Sequence, residues 1–150
     1  MIDFEIVRVG ELNSSQEDEC LNILSDVPGL KISGPKLRNQ LCKMSRLGCL
    51  MIARAQGRIV GVIGFYANDL KDRIAHIMYV SVLDGYRNFG IGGALLDKAI
   101  AYARDLGMNT IRLNVLRTND CAISLYERRG FVLLGEGCSK EHILMVRLLF

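Results

Sequence analysis

From Val80 to Leu96 the chain reads V-S-V-L-D-G-Y-R-N-F-G-I-G-G-A-L-L. A β-branched strand runs through a turn holding Gly85, Gly90, Gly92 and Gly93 and then becomes an amphipathic helix. A helix that starts in such a turn presents unpaired backbone N–H groups and the positive end of its dipole to whatever lies above it. Glycine there lets a ligand approach the backbone closely. These are the requirements for holding a phosphate or pyrophosphate. Two familiar patterns do not fit. A P-loop could use only Gly85 and Gly90, and Ile91 and Gly92 then stand where Lys and Ser/Thr are required. A dinucleotide fingerprint begun at Gly90 meets Leu95 at its third glycine, and the next strand, I-R-L-N-V-L, ends on no acidic residue.

The chain has 150 residues, half of them hydrophobic and 23% charged, which suits one globular domain over residues 1–150 with a real core. The net charge of +3 is mild and the Lys and Arg residues are scattered, so no nucleic-acid partner is expected. No apolar run approaches the ~18–20 residues that span a bilayer, so no membrane partner is expected either. The opening M-I-D-F-E-I-V-R-V alternates like a strand and lacks the layout of a signal peptide. Five cysteines (Cys20, Cys42, Cys49, Cys121 and Cys138) are widely spaced and make no C-x-x-C pair. That argues against a metal site and for reduced thiols in a cytoplasmic protein. Cys121 is read as a small buried side chain.

In chain order, Phe4–Val9 reads as a strand, and Ser14 or Ser15 offers a cap for a helix that stops near Pro28-Gly29. Pro35 opens a second helix carrying Leu37, Leu41 and Met44. Cys49–Ala55 and Arg58–Tyr66 flank Gln56-Gly57 as a hairpin, and Gly61 and Gly64 predict a bend or a close neighbour in its second strand. Ile74–Val82 is a strand that feeds the glycine turn. Ile91–Leu106 is the strongest helix, with Gly107 as its cap. Thr110–Leu116 is a strand, Asp120–Arg129 a short helix ended by Gly130, and Phe131–Leu134 begins a last strand pair that His142–Phe150 completes, closing the sheet. Strands alternating with helices beside clear hairpins point to a mixed α/β sheet.

Arg87-Asn88-Phe89-Gly90-Ile91-Gly92 fits [QR]-x-x-G-x-[GA] between a strand and a helix. Further on, Asn119, Ala122, Leu125, Tyr126, Gly130 and Phe131 fill every fixed position of N-x-x-A-x-x-[LF]-Y-x-x-x-G-F. In both motifs and their separation the chain resembles the GNAT superfamily of acetyl-CoA-dependent N-acetyltransferases, well over Ile59–Phe131 and elsewhere in topology. The resemblance implies a mixed, mostly antiparallel central sheet with splayed central strands, flanked by helices. It implies acetyl-CoA as co-substrate, its pyrophosphate held by the amides of Arg87, Asn88, Phe89, Gly90, Ile91, Gly92 and Gly93. Main-chain groups of Val80 and Val82 would pair with the pantetheine arm. Asn119 would cap the short helix and reach the same arm, although capping alone accounts for an Asn there.

By the same resemblance Tyr126 is the general acid for the departing thiolate. A phenol of pKa ~10 is protonated at neutral pH and can donate to sulfur. The alternative is an aromatic packed beside Phe131. Many members of that family carry Glu where this chain has His76. An imidazole of pKa ~6.5 suits a base or a water relay, and a strand residue facing solvent is the competing reading. Tyr79, at opposite parity on the strand, is assigned the other face. The expected reaction is direct acetyl transfer in a ternary complex to a primary amine, a small molecule by preference. The alternatives are a protein N-terminus or lysine, or a non-catalytic acyl-CoA-binding module. The apolar end L-L-F either packs inside or pairs across a homodimer.

Overall fold

A strand that is apolar along nearly its whole length must be covered on both faces, and Cys49–Ala55 and Arg58–Tyr66 are such runs, interrupted by Arg54 and opened by Arg58. The computed structural model, which describes residues 3–150, covers them with two helical layers. The elements run β1 (Glu5–Arg8), α1 (Ser14–Leu24), α2 (Gly34–Leu47), β2 (Cys49–Ala55), β3 (Arg58–Tyr66), β4 (Ile74–Val82), α3 (Ile91–Asp105), β5 (Thr110–Leu116), α4 (Asp120–Arg128), β6 (Val132–Glu136) and β7 (His142–Leu148). The strands form one sheet in the order β1-β2-β3-β4-β5-β7-β6. Among the described residues only the β4–β5 pair is parallel. This is the mixed, mostly antiparallel α/β sheet that the resemblance implies.

On one face Leu95, Leu96, Ala99 and Ala103 of α3 join Ile63, Phe65 and Leu113 in a single buried cluster, with Tyr126 and Phe131 at its edge. On the other, Cys20, Ile23 and Leu24 of α1 and Leu37, Leu41 and Met44 of α2 close over Leu50, Ile52 and Val62. Each of the leucine, isoleucine, valine, methionine and phenylalanine side chains among these contributes about 1.5–3 kcal/mol through burial. Gln56 and Gly57 both have positive φ (54° and 76°), the requirement of a two-residue hairpin turn matched to strand twist. Gly61 is the predicted close approach: a Cβ there would lie 3.0 Å from Ile91 Cγ2 and Leu95 Cδ1, so α3 sits directly on β3.

Three local expectations are corrected. The cap of α1 is Asn13, whose side chain accepts from the Gln16 amide at 2.8 Å while Gln16 returns a bond at 3.0 Å. That reciprocal pair outcompetes a cap at Ser14 or Ser15. The helix also ends at Leu24, and a tight turn through Val27 carries the chain on to Pro28. Finally, β7 does not close the sheet. It lies between β5 and β6, because its partly buried residues register against all of β5 while β6 is exposed along its length and forms the edge. At the C-terminus Leu149 is buried whereas Leu148 and Phe150 are exposed.

The feature that shapes the site is a bulge in β4. Gly64 pairs with Tyr79 and Phe65 with Ile77, so Met78 is an extra residue. A bulge bends its strand and exchanges the faces beyond it. Before it, Ala75 and Ile77 point into the α3 layer. After it, Tyr79 joins the α1/α2 core and Ser81 Oγ donates to the Ile23 carbonyl at 3.2 Å. His76 and Tyr79 therefore share a face, contrary to simple parity. Pairing of β4 with β5 stops at Ile77–Leu113, the step before the bulge, and the two strands splay from there.

Candidate active site

Beyond the splay, Leu83 N–H donates to the Val60 carbonyl at 2.8 Å, which turns residues 81 and 83 toward β3. The main-chain groups of Val80 and Val82 consequently face the gap. The Val82 carbonyl accepts from Arg87 Nε at 3.1 Å, so the Arg87 side chain folds back onto its own strand. At the other side of the gap Asn119 caps α4, its Oδ1 accepting from the Ala122 amide at 3.2 Å.

The N-terminus of α3 is built differently. Its cap is Gly90, with φ +81°, and among the described residues no side chain caps the first turn. A left-handed conformation at that point favours glycine over any β-carbon residue. The first-turn amides of α3 are thus left for a ligand, at the positive end of a fifteen-residue helix. They open on a cleft of about 490 Å³ lined by Val80, Val82, Arg87, Asn88, Gly90, Ile91, Gly92, Gly93, Asn119 and Tyr126. Among the described residues Asp26 is the one carboxylate on its wall, which also carries Arg87 and Arg128. Uncapped amides with so little competing negative charge fit a pyrophosphate. Of the residues assigned to the cofactor, Phe89 alone stands off this wall, 43% exposed.

A second cavity of about 380 Å³ lies on the far side of the splay, lined by His76, Met78, Tyr79, Asn114, Cys138 and His142 among others. Val80, Asn119, Ala122 and Tyr126 belong to both walls. Tyr126 is 8% exposed, and its ring packs on Phe131 with centroids 5.8 Å apart. The two readings of this tyrosine are therefore compatible, since packing holds the ring that presents the hydroxyl. Burial pushes the phenol up to about 12, so it keeps its proton throughout the neutral range.

His76 sits on the second cavity, not the first. It is half-buried, and its pKa is lowered from 6.5, first by burial and then by Arg112, its cross-strand partner. Both causes favour the neutral imidazole, the form that can accept a proton. Tyr79 donates its hydroxyl to Gln40 Oε1 of α2, which holds the ring in the same wall. His142 is fixed on the opposite side by Ser139 Oγ, 2.7 Å from its Nδ1.

Two features escape a residue-by-residue reading. Cys121 is exposed on the cleft wall instead of buried, because the first turn of α4 directs it outward. The α1–α2 loop contributes Val27 and Pro28 to both cavities. It reaches them because Gly29 lies against the end of β5, where a Cβ would stand 2.8 Å from Leu116 Cγ. Pro28-Gly29 signals a turn in sequence but carries no sign of what the turn covers.

Residues 18–131 match the family described as acetyltransferase (GNAT) family. The chain belongs to the GNAT acetyltransferase family. A probable N-acetyltransferase camello from Xenopus tropicalis is 33% identical over 88 residues, 59% of this chain and 40% of that protein. The chain spans between 27% and 54% of the length of the curated relatives it matches, 40% for this one. A GNAT-family acetyltransferase from Staphylococcus aureus Mu50 superposes with a TM-score of 0.81 at 24% identity, covering 99% of this chain and 100% of that one. The PaiA N-acetyltransferase from Thermoplasma acidophilum, solved in complex with coenzyme A, gives 0.74 at 16% identity, covering 98% and 99%. At these identities the structures share the fold.

Proposed function

We propose that this chain is an acetyl-CoA-dependent N-acetyltransferase that transfers directly to a small-molecule primary amine within a ternary complex. The observation that carries the reading is Tyr126, a protonated phenol in the wall shared by the phosphate-type cleft and the His76 cavity. Two compartments meeting at a proton donor are what a two-substrate transfer needs. The camello relative, named as a probable N-acetyltransferase, and the coenzyme A bound to PaiA support the same chemistry.

When bound, acetyl-CoA supplies a thioester carbonyl. The first-turn amides of α3 would hold its pyrophosphate, and the main chain of Val80 and Val82 would pair with its pantetheine arm. His76 takes one proton from the acceptor ammonium and passes it to solvent, freeing the nitrogen lone pair. Val80 N–H, facing the gap, would stabilise charge developing on the carbonyl oxygen. As the C–N bond forms and the C–S bond breaks, Tyr126 donates its proton to sulfur and is reprotonated by the second amine proton. An alkyl thiol has a pKa of ~8.5. A phenol near 12 therefore does not give up its proton in a separate step. The two transfers at Tyr126 are coupled. A volume of about 380 Å³ beside His76 suits an amino sugar, amino acid, polyamine or drug-sized amine.

The test is thiol release from acetyl-CoA across a panel of amines, amino sugars and short peptides, with coenzyme A binding measured alongside by calorimetry. Turnover with a small amine and a mass gain of one acetyl group on that amine is the expected result. Turnover confined to peptides would move the acceptor to protein termini or lysines. Binding of coenzyme A without turnover on any acceptor would favour a non-catalytic acyl-CoA module. Absence of binding would overturn the proposal.

A further inference from the structure

Outside the two cavities, α3, α4 and β7 enclose an open bay of about 540 Å³ whose wall carries Arg104, Arg128, Arg129 and Arg147 against a single carboxylate, Asp97. That excess of positive charge equals the net +3 of the entire chain. Like charges gathered in one concavity repel, so the arrangement is destabilising unless an anion joins it. The existing partners use little of the available hydrogen bonding. Arg129 Nε reaches Asp97 at 3.3 Å, and Arg104 Nε donates to the Leu149 carbonyl at 3.1 Å. Arg147 Nη1 is buried with no partner among the described residues. A buried charged donor left in that state is costly, which distinguishes this bay from an ordinary solvated basic face.

The packing keeps the guanidiniums in place. A Cβ at Gly93 would lie 2.7 Å from Arg129 Cζ, and one at Gly130 would lie 3.1 Å from Arg147 Nε. Gly93, the residue after the first motif, and Gly130 of the second thus each give room to one arginine of the bay. Arg128 lines both this bay and the 490 Å³ cleft, so the two are neighbours that meet at one side chain.

We propose that the arginine bay binds a phosphomonoester. Planar guanidinium forks converging from three elements match the oxygens of a terminal phosphate. The concave shape takes one such group better than it takes a polymer backbone. The cleft that holds the α3 amides adjoins the bay at Arg128, which makes the 3′-phosphate of the adenosine in coenzyme A one source of that group, and this source rests on the proposed function. A separate phosphorylated molecule, bound beside the cofactor, is the other.

The experiment compares binding of coenzyme A and 3′-dephospho-coenzyme A to the full chain by calorimetry, and binding of inorganic phosphate to the free and coenzyme A-loaded chain by ³¹P NMR. The same measurements are made on Arg147→Gln and on the exposed pair Arg104→Gln/Arg128→Gln, each checked for native circular dichroism. If the 3′-phosphate is the ligand, the wild type prefers coenzyme A about ten-fold or more, and the variants lose that preference while still binding the dephospho form. If a separate molecule is the ligand, the two coenzymes bind alike and inorganic phosphate saturates the loaded wild type but not the variants. Equal coenzyme affinities with no saturable phosphate binding would overturn the proposal. Should neither coenzyme bind, the functional reading fails on its own. Phosphate binding to the free chain, lost in Arg147→Gln, would still support the bay, and its absence would dismiss it.

Discussion

Replacing Tyr126 by phenylalanine removes one oxygen from the wall between the two cavities and leaves the ring on Phe131. The hydroxyl makes no hydrogen bond to the protein among the described residues and is not among the buried unpartnered polar atoms, so it meets the cavity. Folding stability should then change by less than about 1 kcal/mol, since no intramolecular bond is lost. Coenzyme A affinity should hold for the same reason. The loss falls on the chemical step. General acid catalysis typically contributes about 10²–10⁴-fold, or ~2.7–5.5 kcal/mol of barrier. A phenol near 12 is a weak donor toward a thiolate, which places the expected loss at the lower end of that range. Single-turnover thiol release, with kcat and KM measured in parallel, separates chemistry from product release. A variant within about three-fold of wild type in the single-turnover rate would refute the assignment. A fall in coenzyme affinity with unchanged kcat would reassign Tyr126 to binding.

His76, lowered by burial and by Arg112, should place the acid limb of kcat/KM below the ordinary histidine value of 6.5. The sign is that of a cation disfavoured by its surroundings: protonation, and loss of activity, come only at lower pH. Arg112→Gln should move that limb upward and His76→Gln should remove it, read from pH profiles with one fixed acceptor. At Gly90 a Cβ meets open space but must accept φ +81°, so Gly90→Ala should cost about 1–2 kcal/mol by denaturant titration. It should also weaken coenzyme A binding, because the α3 amides change direction. Asn119→Ala should cost ~1 kcal/mol as a lost cap. Asn119→Ser restores the cap, and a coenzyme affinity that stays low in that variant would show that Asn119 also touches the cofactor.

The elements of this protein were legible where the causes are local. The boundaries of β2, β3, β4 and β5 follow from apolar runs broken by turn residues, and the Gln56-Gly57 turn joins the first two. The uncapped glycine start of α3 and the Asn119 cap of α4 are also decided within a few residues. Even so, a local competition misled at α1, where Asn13 with Gln16 outranked the neighbouring serines.

Sequence alone determined that a strand and a glycine turn would lead into a helix with an uncapped start, and that Tyr126 would lie in a later short helix. Tertiary structure decided what those pieces face. The bulge at Met78 reverses the faces of β4, bringing His76 and Tyr79 together, because register depends on the partner strand and one extra residue flips the alternation. Insertion of β7 between β5 and β6 depends on which strand better matches β5, a comparison that a hairpin by itself does not contain. Four arginines scattered from 104 to 147 become one bay only when α3, α4 and β7 pack against one another. Electrostatic fields sum over space and not along the chain, so their meeting point exists only in the folded molecule.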